Sequence, residues 1–142
     1  MTGFTSMIDK MRDTANRMAD TSFADAETLA KLPNMSTEEL DELKFGVIRV
    51  SSEGVIESYN RYESQIGGFA PREVIGKNFF TQIAVCTNND IFFGSFQTGI
   101  EEGDLNMMFQ YTFTYKIAPT NVRVHLYTHP ESKTHWVLVQ KK

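Results

Sequence analysis

Five strand-like stretches, two before a helical middle and three after it, constrain this chain more than any other feature. In Met107 to Lys116 and in Val122 to Leu126 apolar and polar residues alternate, which is the signature of a strand with one side in a core. Phe45 to Val50 is the first. Ser51 to Gly54 is a turn with glycine at its end, and Val55 to Tyr59 returns, so the pair is a hairpin. From Asn60 to Asn78 the alternation stops and short helical pieces are expected. One is PREVIG, opened by Pro71 at a first helical position, where the missing N–H costs little. A helix is expected from Phe92 to Glu102. Met107 to Lys116, Val122 to Leu126 and Thr134 to Gln140 are the last three strands, with His129 to Lys133 as a turn. A hairpin, a helical middle and a three-stranded meander give an α+β fold: a five-stranded antiparallel sheet with helices on one face.

What precedes Phe45 is helical. Phe4, Met7, Ile8, Met11, Ala15 and Met18 recur at helical spacing between charged residues. A second helical stretch, ADAETLAKL, is stopped by Pro33. Ser36 and Glu39 then have the spacing of a capping box. Residues 1–44 read as an N-terminal helical cap and extension laid against a core of residues 45–142. The helix from Phe4 to Met18 is read as a packed cap rather than a partner-binding surface.

Composition narrows the function. The net charge is −4 and the pI is near 5.3, whereas nucleic acid and anionic membrane surfaces call for a basic face. No apolar run approaches the roughly 20 residues of a membrane span, and the charged N-terminus is not that of a signal peptide. The expected location is the cytoplasm. His125, His129 and His135 have no metal-motif spacing, and the single cysteine, Cys86, can form neither an intrachain disulfide nor a cysteine-based zinc site. Eleven phenylalanines stand against one tryptophan. Read from composition, they are core; the aromatic face from Phe109 to Tyr115 is read the same way.

The order of elements resembles the PAS fold. GVIRVSSEGVIESYN is similar to its opening hairpin, and EVIGKNFF to its middle helix and loop. More specifically, EVIGKNFFTQIAVCTNND resembles the chromophore-bearing segment of the photoactive yellow protein family. LNMMFQYTFTYKIAPTNVRVH and HWVLVQKK are similar to its later strands. Tyr59 and Glu63 precede Cys86 at the family's spacing. The resemblance runs from about Phe45 to Lys142 without a gap and survives loosely before it, in TLAK and ELDEL.

That resemblance implies a blue-light photoreceptor, not an enzyme. It implies p-coumaric (4-hydroxycinnamic) acid as a covalent thioester on Cys86, with its phenolate hydrogen-bonded by Tyr59 and a protonated Glu63. Light isomerises the pigment from trans to cis, Glu63 gives up its proton, and the domain partly unfolds as a signal. The chemistry suits the residue types. A buried phenolate is costly unless hydrogen-bonded, and an O–H donated to a charged oxygen is about twice as strong as a neutral bond. Burial beside a second anion raises a glutamic acid's pKa, so Glu63 is expected to be neutral at pH 7. Gly67, Phe69, Phe79, Phe113 and Ile117 complete the implied binding set. Four positions depart from the best-studied members: Gly67 replaces a threonine, Phe69 an arginine, Val85 a proline and Ile117 a methionine. They bear on colour and on recovery, expected to be slow, not on attachment. The expected partner is a downstream signalling protein that the sequence does not name, and the expected state is a monomer or a weak dimer through the N-terminal helix. Two other readings remain open here: a chromophore-free PAS protein-interaction module, and a cysteine-nucleophile enzyme that would use His125 as its base.

Overall fold

The computed structural model describes residues 23–114 and 119–142. The helix read from Phe4 to Met18, the end of the strand at Tyr115 and Lys116, and Ile117 all lie outside the described residues.

Among the described residues the chain begins with α1 (Ala26–Lys31), capped by the Asp25 carboxylate, which accepts the Thr28 N–H at 2.7 Å. A 3₁₀ turn, Leu32–Asn34, contains Pro33. The capping box expected from Ser36 and Glu39 is present at the start of α2 (Thr37–Glu42). β1 (Gly46–Val50) and β2 (Ile56–Tyr59) form the hairpin. Gly54 closes its turn at φ +93°, and a Cβ there would strike the Phe80 ring. Glycine thus serves both backbone and packing.

The sheet order is β2-β1-β5-β4-β3, with every neighbouring pair antiparallel. β3 spans Asn106–Phe113, β4 Thr120–Thr128 and β5 His135–Lys141. β4 is longer at both ends than the alternation from Val122 to Leu126 suggests, because its pairing with β3 starts at Phe113↔Thr120 and its pairing with β5 runs on to Thr128↔His135.

The alternation divides the sheet into two buried faces. On the inner face, Ile48, Val50, Val122, Val124, Leu126, Val137 and Val139 join the large core cluster with Phe79, Phe80, Phe92 and Phe96. On the outer face, Val47, Trp136 and Leu138 meet Ala24, Leu32 and Leu40 of the cap. The cap therefore packs on the side opposite the other helices.

The middle of the chain covers the inner face. It contains α3 (Arg61–Gly67), α4 (Pro71–Val74) and α5 (Ser95–Glu102), linked by wide π-type turns at Phe79–Ile83 and Asp90–Gly94 and a 3₁₀ turn at Val85–Thr87. The helix expected from Phe92 starts instead at Ser95. The wider turn before it lets consecutive aromatics both point inward: Phe92 is fully buried, and Phe93 stacks on Phe80 with centroids 4.3 Å apart. Full burial of a ring such as that of Phe92 contributes roughly 1.5–3 kcal/mol. Asn78 ties this region to the hairpin turn, donating to the Glu53 carbonyl at 2.8 Å and accepting from Phe80 and Thr81 N–H.

Candidate functional site

Cys86 lies in the 3₁₀ turn that follows the first π turn. Thr87, fully buried, holds that turn by donating both its N–H (2.8 Å) and its hydroxyl (2.6 Å) to the Ala84 carbonyl. Cys86 is half-buried and packs against the inner-face core. Tyr59, Phe79 and Phe113 belong to that same core, and Phe69 packs on it. The sequence-derived candidates Cys86, Tyr59, Phe69, Phe79 and Phe113 thus share one side of the sheet. Phe79 is fully buried, with Phe80 edge-on at 5.2 Å. Gly67 is buried at the end of α3, followed by Gly68 in the left-handed region at φ 77°.

Glu63 is 0% exposed, on the third residue of α3. Its position depends on Gly46, whose own Cβ, if it had one, would overlap Glu63 Oε2. Gly46 and Ile48, two residues apart on β1, face the same side, and Ile48 pairs with Tyr59 across the hairpin. The Glu63 carboxyl and the Tyr59 ring, itself 5% exposed, are therefore both carried on the inner side of β1 and β2.

Asn60, where the sequence showed only the end of the alternation, caps the start of α3. Its Oδ1 accepts the N–H of Glu63 at 3.2 Å and of Val47 at 2.9 Å. Its Nδ2 donates to the carbonyls of Leu40 at 2.8 Å and Phe45 at 3.0 Å. All four hydrogen-bonding positions of this buried amide are filled, and they join the Glu63 helix, β1 and the end of the cap. Two other residues act on the cysteine's own backbone. The Tyr111 hydroxyl donates to the Cys86 carbonyl at 2.6 Å, and Asn89 Nδ2 donates to the same oxygen at 3.1 Å and to the Tyr111 hydroxyl at 2.7 Å.

His125 is on the other face. Its ring meets Phe23 and Tyr127 edge-on, and Nε2 lies 2.6 Å from Asn106 Oδ1, so the neutral ring donates from Nε2. Burial lowers its pKa from the ordinary 6.5 to about 4. With the sheet between them, His125 is not placed to act as a base for Cys86. Among the described residues there is no cluster of metal-binding side chains and no helix long and apolar enough to cross a membrane.

The PAS fold family model matches residues 37–142. The photoactive yellow proteins of Rhodothalassium salexigens and Halochromatium salexigens are each 40% identical to this chain over 110 residues, covering 78% of it and 88% of their own length. The chain belongs to the photoactive yellow protein family. A solved relative agrees: the photoactive yellow protein domain of the sensor histidine kinase Ppr from Rhodospirillum centenum matches with a TM-score of 0.76 at 38% identity, covering 80% of this chain and 99% of that one. The family is one of PAS-fold photoreceptors in sensory transduction. The donor set here fits a small acidic phenol on a thioester: one thiol at the edge of an aromatic core, with a buried hydroxyl and a buried carboxyl on the same side of the sheet.

Proposed function

We infer that this chain is a blue-light sensor that holds p-coumaric acid as a thioester on Cys86. When bound, the pigment supplies light-driven trans-to-cis isomerisation of its double bond. Cys86 tethers the acyl end at the rim of the inner core. Tyr59 and Glu63 donate O–H hydrogen bonds to the phenolate oxygen, and the aromatic side chains Phe69, Phe79 and Phe113 exclude water from it. Gly67 and Ile117 come into this set from the family's frame. The observation that carries the reading is that the only cysteine packs on the same core as Tyr59, while a fully buried carboxyl lies over Gly46 on that side.

Glu63 is the proton source. A carboxyl with no exposed surface favours its neutral form. Once its proton has moved, the carboxylate is a charge in a site built for a neutral group, at a cost of several kcal/mol against a domain stability of about 5–15 kcal/mol. Asn60 gives that cost a route outward, because one side chain holds both the first turn of α3 and the Leu40 carbonyl of the cap. Loosening of α3 and of the cap is the signal, offered to a downstream signalling protein.

Reconstitution with activated p-coumaric acid tests the reading. The wild-type mass is expected to rise by one p-coumaroyl group with a visible absorption band, and Cys86→Ser is expected to stay colourless and unmodified. Covalent pigment on the serine variant, or none on the wild type, sinks it; the latter leaves a pigment-free PAS interaction module.

A further inference from the structure

The Cys86 carbonyl is held from two sides, and neither donor belongs to the set that the sequence singled out. Tyr111 reaches it from the middle of β3, 25 residues away, with a 2.6 Å bond. Asn89 reaches it from the start of the second π turn, 3.1 Å away. The two donors are also bonded to each other at 2.7 Å, and Asn89 Oδ1 accepts the Phe92 N–H at 2.9 Å. The Tyr111 ring is in turn fixed edge-on by Phe92, with centroids 5.1 Å apart. One peptide oxygen thus ties the cysteine's turn to the sheet and to the Asp90–Gly94 turn.

A helix or strand would have given this carbonyl a backbone partner. Here two side chains supply it, and Tyr111 spends its hydroxyl on the residue that carries the thiol. We propose that Asn89 and Tyr111 are positioning residues that clamp the Cys86 backbone, fix the anchored end of the pigment and thereby speed its thermal return. This rests on the pigment reading above. Rotation within a tethered group strains the tether only if the tether cannot follow. With the Cys86 peptide pinned, strain remains in the rotated group and drives it back. With the clamp loosened, the turn follows, the strain relaxes and the lit state lasts longer.

Because Cys86 is the only cysteine, cysteine carrying a ¹³C carbonyl labels this one oxygen's bond for infrared spectroscopy. Hydrogen bonds lower a carbonyl stretching frequency, so in the pigment-free protein Tyr111→Phe and Asn89→Ala should each move the labelled band upward. In the reconstituted protein each should attach pigment normally and slow dark recovery by at least about fivefold, of the order one hydrogen bond supplies. Because both donors meet one oxygen and each other, the double variant should slow it by less than the product of the two. An unmoved band overturns the clamp, as does pigment that loads and recovers equally fast in all variants. Wild-type protein that takes up no pigment fails at the earlier step and overturns the photoreceptor reading along with it.

Discussion

Gly46 shows how a residue without a side chain can set the chemistry of another. The Glu63 carboxyl occupies the space where a Cβ at position 46 would stand, with the Val139 carbonyl 3.3 Å from the same point. Gly46→Ala leaves the strand intact but forces the carboxyl to move inside a closed core. Overpacking of this kind costs about 1–3 kcal/mol. Urea unfolding of the pigment-free protein should show that loss, and the reconstituted variant should have a displaced dark absorption band. A variant with wild-type stability and colour would show that the carboxyl has another place to go. The sequence offered Gly46 only as a glycine at the head of a strand. Its contact is with a residue 17 positions on, across a turn and into a helix, and no local pattern encodes that.

At the scale of elements, Asn60 joins three pieces through its side chain, beside the Arg61 N–H bond to Asp41 and its own N–H bond to the Val47 carbonyl. Asn60→Ala removes four hydrogen bonds at once and takes this partner from the Val47 and Glu63 N–H groups and the Phe45 carbonyl in a buried site, while the Leu40 carbonyl keeps the Leu43 N–H. An unsatisfied buried group costs about 1–3 kcal/mol, so a total loss of about 3 kcal/mol or more is expected in chemical denaturation. Proteolysis should become faster first near residues 36–45, where the cap loses its tie at Leu40. Uniform protection across the variant would mean that the apolar contacts of Leu32 and Leu40, with the Arg61 N–H bond to Asp41, hold the cap without Asn60. The hairpin, the Ser36 capping box and the Pro71 helix start were legible because each is written within a few residues. The two π turns were not, since an i→i+5 bond such as Gly94 N–H to the Asn89 carbonyl leaves no spacing rule to read. The same holds for Tyr111, which alternation marks as a core face while its hydroxyl serves the Cys86 turn.

Across the whole molecule, the two faces of the sheet have separate duties, and acid should act through the outer one. His125 has a folded pKa of about 4 against an ordinary 6.5, caused by burial beneath the cap. The unfolded chain therefore takes up the proton first. This contribution to stability is complete above about pH 6.5 and is lost as pH falls toward 4, on the order of 3 kcal/mol in all. His125→Gln, which keeps a donor for Asn106, should show a shallower fall in urea midpoint between pH 7 and 4.5. An equally steep fall in both proteins would assign the acid loss to other groups. On the inner face, the resemblance to the photoactive yellow protein family named Cys86, Tyr59 and Glu63, whose individual spacing is ordinary. Only folding gathers them on one side of the sheet, because the thiol comes from a turn, the hydroxyl from a strand and the carboxyl from a helix. The most direct test of the account is a light-minus-dark infrared difference spectrum of the reconstituted protein. The account requires a negative band from a protonated carboxylic acid in the wild type, absent in Glu63→Gln. A wild-type spectrum without that loss, or one that keeps it in Glu63→Gln, would contradict the assignment of Glu63 as the proton source.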